Sequence, residues 1–144
     1  MSSQTEMTLV MVDDNADEIF LTRRLVRRDG IVNNFVSEKK PERLFDTLGD
    51  LRGLGVDPQK IIILLDINMP RMDGFDLLKQ IRASTEFRNA PVVMLSASDN
   101  EADVMEAMSL GANGYLIKPF EGEEFFQVIN NIPQVKHRLV PAVC

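Results

Sequence analysis

Short apolar segments recur along the chain, and polar residues follow each of them at once. The clearest segment is Ile61–Leu65, which runs directly into Asp66. The remaining segments are Leu9–Val12, Phe35–Val36, Pro91–Leu95 and Tyr115–Ile117. Short segments that are apolar at successive positions are typical of strands buried on both faces, as in a parallel sheet covered by helices. The pattern therefore predicts buried strands that each end at a polar position.

Helical patterns separate these strands. After the first, third and fifth strands, apolar residues recur three or four positions apart, which is the spacing of one helix face. The predicted core positions are Ala16, Ile19, Phe20 and Leu25, then Leu77, Leu78 and Ile81, then Phe125, Val128, Ile129 and Ile132. Asp73 is a predicted cap for the third helix, because an aspartate can accept a hydrogen bond from a free amide of the first turn.

Two further helices complete the alternation of strands and helices. The second is predicted over Pro41–Leu48, and a loop after it is indicated by Gly49, Gly53, Gly55 and Pro58. The fourth is predicted from Asp99 or Asn100 to near Gly111, and we expect its methionines, Met105 and Met108, to face the core. Five strands alternating with five helices predict an α/β fold with right-handed crossovers. The expected form is a doubly wound, flavodoxin-like parallel sheet with strand order 2-1-3-4-5.

The length and the predicted elements indicate one domain. The chain has 144 residues, which fits a single domain. We expect residues 1–7 to be a flexible amino terminus, residues 8–132 to form the domain, and residues 133–144 to be a short tail. No output domain is expected after residue 132, because the tail is too short to fold into one.

Composition excludes several classes of function. The formal net charge is −6, and an acidic domain repels phosphate backbones, so we expect no nucleic-acid binding. The apolar runs are too short to span a bilayer, and the first residues lack the pattern of a secretory leader. The single cysteine, Cys144, fits a reducing cytoplasm. With one cysteine and one histidine, a Cys/His zinc site is not available.

Polar side chains follow four of the five predicted strands. Asp13 and Asp14 follow the first strand, Asp66 the third, Ser96 the fourth and Lys118 the fifth. In the order 2-1-3-4-5 these four strands lie side by side. Because the carboxyl ends of parallel strands meet at one edge of the sheet, we expect the five residues to share one crevice.

The residue types in this crevice favour phosphoryl transfer. Neighbouring carboxylates repel by a few kcal/mol at an effective dielectric of about 20, so they require a cation or a raised pKa. Oxygen ligands without histidine or cysteine favour Mg²⁺. Lys118 and Ser96 supply donors for phosphoryl oxygens, and an aspartate can attack phosphorus. The interpretation is Mg²⁺-assisted phosphoryl transfer onto Asp66, which lies between the acidic pair and the Ser/Lys side.

Each feature has a plainer interpretation on its own. Asp13 and Asp14 are typical helix caps, Ser96 is a typical turn residue, and an isolated Lys118 is a typical surface lysine. Their placement at the ends of different strands favours a common site. The basic face of the first helix is more often solvated than a docking face for an acidic partner, and it consists of Arg23, Arg24, Arg27 and Arg28.

Four motifs carry a family resemblance from about Thr8 to Ile132: LVMVDDN, IIILLDINMPRMDGFDLLKQIR, PVVMLSAS and GANGYLIKPF. Together they resemble the response-regulator receiver domain of two-component signalling. The resemblance implies that Asp66 is phosphorylated and that Mg²⁺ is held by Asp13, Asp14, Asp66 and the backbone carbonyl of Asn68. It also implies catalytic roles for Ser96 and Lys118, switch roles for Ser96 and Tyr115, and a cis Lys118–Pro119 bond.

The resemblance further implies a stand-alone, chemotaxis-like switch in the cytoplasm. A sensor histidine kinase or a histidine phosphotransfer protein would donate the phosphoryl group, and a downstream protein target would read it. The protein would be a monomer or a phosphorylation-dependent homodimer, and it would catalyse only its own phosphorylation and dephosphorylation. One alternative is a haloacid-dehalogenase-type phosphatase, which is disfavoured because Asn68 replaces that family's acidic general acid. The other is a phosphorylation-independent binding module on the same fold.

Overall fold

A parallel sheet lies at the centre of the protein. The computed structural model describes residues 7–29, 34–70 and 72–132, and within them five strands pair in the order β2-β1-β3-β4-β5. The strands are β1 (Thr8–Val12), β2 (Asn34–Glu38), β3 (Ile61–Asp66), β4 (Val92–Ser96) and β5 (Gly114–Ile117). Every pairing is parallel. The predicted strand order is confirmed, and the predicted tail, residues 133–144, lies outside the described residues.

Helices connect the strands and cover both faces of the sheet. They are α1 (Ala16–Asp29), α2 (Leu44–Gly53), α3 (Gly74–Ala83), α4 (Glu101–Ser109) and α5 (Gly122–Asn130). Short 3-10 turns, Pro41–Arg43 and Pro58–Lys60, precede α2 and β3. In the part of the chain described, no helix combines the length and apolar character needed to cross a bilayer.

β3 is buried along its whole length because both of its faces are covered. Ile63 and Leu65 pack in the apolar layer that contains α2, α3 and α4 residues. Ile62 and Leu64 face the opposite layer, which contains residues of α1 and α5. Complete burial of such a side chain contributes about 1.5–3 kcal/mol, so β3 is a firmly held central strand.

The predicted core face of α1 is partly wrong. Ile19 is buried as expected, but Phe20 is 55% exposed and Ala16 is also exposed. The buried face instead continues through Thr22 and Val26. Successive helix residues are about 100° apart, so Phe20 leaves a face that passes through residues 19, 22 and 26.

The prediction for α4 is also partly wrong. Met105 and Met108 are 65% and 48% exposed, and the buried residue of this helix is Ala107. A small side chain at the contact lets α4 lie close to the sheet while both methionines point outward. The helix start was predicted correctly, since the Asn100 side chain accepts a hydrogen bond from the backbone amide of Ala102.

Two boundaries differ from the expectation. α2 continues through Gly49 to Gly53, because an exposed glycine lowers helix stability without ending the helix. Met7, assigned to the flexible terminus, is fully buried. The backbone amide of Asn34 donates to its carbonyl, which extends the pairing of β1 and β2 by one residue.

Candidate functional site

The carboxyl edge of the sheet gathers acidic side chains from two strand ends. Asp13 and Asp66 are buried, whereas Asp14 is exposed. A carboxylate oxygen from each of these three residues lies within 4.8 Å of the other two. Buried carboxylates this close together repel strongly unless a cation or a proton offsets their charge.

The turn from β1 into α1 holds the acidic pair in place. The backbone amide of Asp13 donates to Glu38 O at 3.1 Å, and the amide of Asn15 donates to Asp13 Oδ1 at 2.9 Å. Asn15 Oδ1 accepts hydrogen bonds from the amides of Asp17 and Glu18. Asn15 therefore caps α1, and the plainer interpretation of Asp13 and Asp14 as helix caps is wrong.

Asp66 is positioned by a close contact between β3 and α3. The amide of Asn68 donates to Asp66 Oδ1 at 3.3 Å, and the amide of Gly74 donates to Ile67 O at 2.8 Å. A Cβ atom on Gly74 would lie 2.4 Å from Asp66 O and 2.7 Å from Ile67 Cα. Only glycine allows this approach, after which Asp73 caps α3 through the Phe75 amide as predicted.

Lys118 extends from the end of β5 into the acidic cluster. Its Nζ lies 3.3 Å from Asp13 Oδ2, 3.4 Å from Asp66 Oδ1 and 3.9 Å from Glu18 Oε1. Its side chain is 17% exposed, so it is not the surface lysine of the plainer interpretation. The backbone amide of Lys118 donates to Ser96 O at 2.7 Å, and the Lys118–Pro119 bond is cis, as the family resemblance implied.

The site carries more negative than positive charge. Burial raises the pKa of Asp66, and the Asp13 carboxylate raises it further, whereas Lys118 and the Asn68 amide lower it, so that it settles at about 6. Burial lowers the pKa of Lys118, but Asp13, Asp66 and Glu18 raise it by more. Lys118 therefore remains protonated and offsets part of the charge, and the remaining oxygen donors fit Mg²⁺.

Ser96 and Tyr115 meet at the loop that follows β4. Ser96 is buried, and its Oγ accepts a hydrogen bond from the Ser98 amide at 3.0 Å. Tyr115 Oη donates to Ser98 O, also at 3.0 Å, and its half-buried ring packs against the apolar layer on that side of the sheet. A single loop residue thus contacts both predicted switch residues.

Comparison with protein families identifies the fold and its general role. The family model described as the response regulator receiver domain matches residues 9–130. The chain belongs to the response regulator receiver domain family. Receiver domains are signalling components of two-component systems, so the match favours this class over the dehalogenase-type phosphatase considered from the sequence.

Several characterised receiver domains resemble this one along most of its length. The chemotaxis protein CheY1 of Helicobacter pylori is 29% identical over 114 residues, which cover 79% of this chain and 86% of CheY1. The bacteriophytochrome response regulator RtBRR is 31% identical with a TM-score of 0.75, covering 88% of this chain and 78% of RtBRR. The bacteriophytochrome response regulator AtBRR is 29% identical with a TM-score of 0.76, covering 89% and 93% respectively.

Two residues of the receiver site were missed from the sequence. Glu18 reaches Lys118 from the first turn of α1, and Gly74 makes room for the end of β3. Glu18 is a typical acidic residue for a helix start, so its type alone did not indicate a contact with the site. Gly74 follows the predicted cap Asp73, and a glycine at the first position of a helix is the signal that indicates a close backbone contact.

Proposed function

We propose that this receiver domain accepts a phosphoryl group on Asp66 from a phosphohistidine of a sensor kinase or a phosphotransfer protein. The observation that carries the proposal is the environment of the Asp66 carboxylate. It is buried at the end of β3, with Lys118 Nζ 3.4 Å from Oδ1 and the carboxylates of Asp13 and Asp14 beside it. No other described aspartate combines burial, a lysine contact and a place in the middle of this edge.

In the proposed reaction, a lone pair on an Asp66 carboxylate oxygen attacks phosphorus. A phosphorus–oxygen bond forms as the phosphorus–nitrogen bond breaks, and the imidazole nitrogen leaves with the electron pair of that bond. With a pKa of about 6, the Asp66 carboxyl is ionised at neutral pH and is therefore a competent nucleophile. The Lys118 ammonium and the Ser96 hydroxyl would donate hydrogen bonds to the phosphoryl oxygens.

The acidic cluster is the proposed Mg²⁺ site. Asp13, Asp14, Asp66 and the backbone carbonyl of Asn68 would hold the ion, since all supply oxygen donors and the three carboxylates lie within 4.8 Å of one another. When bound, Mg²⁺ supplies positive charge that offsets the carboxylates and the phosphoryl oxygens. The residues of the chain would orient the Asp66 carboxylate and exclude water from it.

The proposed output is a change in protein contacts. A phosphoryl group adds about −1.5 to −2 charges to the site, which attracts hydroxyl donors such as Ser96. Because Ser98 contacts Ser96 Oγ and Tyr115 Oη, a shift of this loop would also release or redirect Tyr115. A downstream protein target, or a second copy of the chain, would bind the rearranged surface. Neither nucleic acid nor a membrane would be a partner.

Intact-mass spectrometry after incubation with phosphoramidate and Mg²⁺ tests this function. We expect the wild type to gain the mass of one phosphoryl group, and to gain none when a chelator replaces Mg²⁺. Asp66→Asn should gain none under either condition. The control Asp76→Asn, at an exposed position of α3, should behave like the wild type. Equal modification of Asp66→Asn and the wild type would overturn the proposal.

A further inference from the structure

Glu18 is an additional carboxylate at the outer side of Lys118. Its Oε1 lies 3.9 Å from Lys118 Nζ, and its side chain is 36% exposed. The other two carboxylates that contact this ammonium, Asp13 and Asp66, are almost fully buried. Glu18 is therefore the partner of Lys118 that faces solvent.

The position of Glu18 is fixed by the start of α1. Asn15 Oδ1 accepts hydrogen bonds from the amides of Asp17 and Glu18, so the first turn of the helix is held against the acidic pair. Asp17 lies in the same turn and is exposed, but no contact joins it to Lys118. The two neighbouring acidic residues therefore differ in whether they reach the site.

We propose that Glu18 selects phosphodonors by charge, disfavouring small dianionic acyl phosphates relative to less negative donors. The proposal rests on the proposed function of Asp66 as phosphoacceptor. The carboxylate of Glu18 repels each negative charge of the incoming phosphodonor. It also attracts the Lys118 ammonium away from the phosphoryl oxygens that this ammonium would otherwise contact. Both effects slow phosphorylation more when the donor carries more negative charge. The ratio of the phosphorylation rates for two donors of different charge therefore measures them.

Two small donors differ in charge but deliver the same group. At neutral pH acetyl phosphate is a dianion, and attack by Asp66 breaks the bond between phosphorus and the acyl oxygen, so that acetate leaves with the electron pair. Phosphoramidate is a monoanion whose nitrogen is already protonated, and attack breaks the phosphorus–nitrogen bond, so that neutral ammonia leaves with the electron pair. Both reactions place one phosphoryl group on the Asp66 carboxylate.

The test measures the phosphorylation rate with each donor at equal Mg²⁺ concentration for the wild type, Glu18→Gln and Glu18→Lys. We expect Glu18→Gln to raise the ratio of the acetyl phosphate rate to the phosphoramidate rate about threefold to tenfold. That is the size expected when one unit charge acts across several ångströms at a dielectric between those of water and a protein interior. Glu18→Lys should raise the ratio further, and the differences should shrink in about 1 M salt, because salt screens exposed charges.

Asp17→Asn is the matched control, since it removes the same charge from the same helical turn. Its ratio should stay within about twofold of the wild-type ratio. An unchanged ratio in Glu18→Gln and Glu18→Lys, with the wild type still phosphorylated, would overturn the role of Glu18 and leave that of Asp66 intact. Phosphorylation of Asp66→Asn would instead overturn the proposed function.

Discussion

The charge on Asp66 depends on pH in a range where proteins are commonly studied. Its pKa of about 6 in the folded protein lies above the ordinary value of 3.8, because burial and the Asp13 carboxylate both disfavour the ionised form. Protonation of Asp66 therefore contributes to the free energy of unfolding. This contribution is complete below about pH 3.8 and is lost as the pH rises through about 6. In the proposed function the same ionisation creates the nucleophile, so this stabilising contribution is lost in the pH range where Asp66 would react.

Asp66→Asn should therefore stabilise the metal-free protein at pH 7.5. One pKa unit corresponds to about 1.4 kcal/mol, so the gain should reach at most about 3 kcal/mol and should fall towards zero near pH 4. Urea denaturation in the presence of a chelator, at both pH values, measures this difference. A stability difference that does not change with pH would show that Asp66 does not titrate as described.

Residue types at strand ends were enough to find the centre of the candidate site. The two aspartates after β1, Asp66 after β3 and Lys118 after β5 could be placed together because parallel strands end at one edge. Glu18 could not be found in this way, because its contact depends on how α1 leaves the edge and how far a side chain reaches. Sequence order predicts backbone proximity better than it predicts such side-chain contacts.

At the scale of elements, the contact between α3 and β3 sets the position of Asp66. Gly74→Ala should lower the free energy of unfolding by about 1–3 kcal/mol and slow the phosphorylation of Asp66, because the added Cβ meets the backbone of Asp66 and Ile67. Chemical denaturation and the phosphorylation rate measure the two effects.

Gly49→Ala is the matched control for this substitution, because a Cβ on Gly49 meets no atom within 4 Å. In the middle of α2, alanine should stabilise the protein by up to about 1 kcal/mol without changing phosphorylation. If Gly74→Ala behaves like Gly49→Ala, the close approach of α3 to β3 does not position Asp66.

Helices were easier to predict than the faces they bury. In α1 the apolar residues Ile19 and Phe20 are adjacent, and the sequence pattern did not show that Thr22 and Val26 would extend the face of Ile19. In α4 the small Ala107 lies at the contact, so the larger methionines point outward. A hydrophobicity pattern favours the largest apolar side chains as core residues. In the folded protein, the space between helix and sheet decides which side chain is buried.

At the scale of the whole molecule, Arg82 connects elements at the edge opposite the candidate site. From α3 its guanidinium donates to the carbonyls of Arg88 and Ala90, which precede β4, and to Gly111 O and Asn113 Oδ1, which precede β5. Asn113 Oδ1 also accepts a hydrogen bond from the Val92 amide. This cluster holds together the segments that lead into β4 and β5.

Arg82→Leu should lower the free energy of unfolding by about 2–4 kcal/mol, since several backbone carbonyls lose a charged donor. The folded fraction should keep the phosphorylation rate of the wild type, because the cluster is at the other edge of the sheet. Arg88→Leu, which changes an exposed side chain, should be nearly neutral. Denaturation curves with equal midpoints for the two variants would contradict a stabilising role of Arg82.

The order of the strands was predictable at this scale because alternation of strands and helices leaves few arrangements of a parallel sheet. The Arg82 cluster was not predictable, since its acceptors are mainly backbone carbonyls, which every residue carries. Its signal was weak: an arginine near the end of a helix, a type that is also common on solvated surfaces.

The position of the phosphoryl group tests the central claim most directly. After phosphorylation with phosphoramidate and Mg²⁺, borohydride reduces an aspartyl phosphate to homoserine, and peptide mass spectrometry locates the reduced residue. We predict homoserine at position 66 alone, in amounts that follow the phosphorylated fraction and vanish in a chelator. Homoserine at position 13 or 14, or a phosphoryl group that survives reduction on another residue type, would contradict the assignment of Asp66.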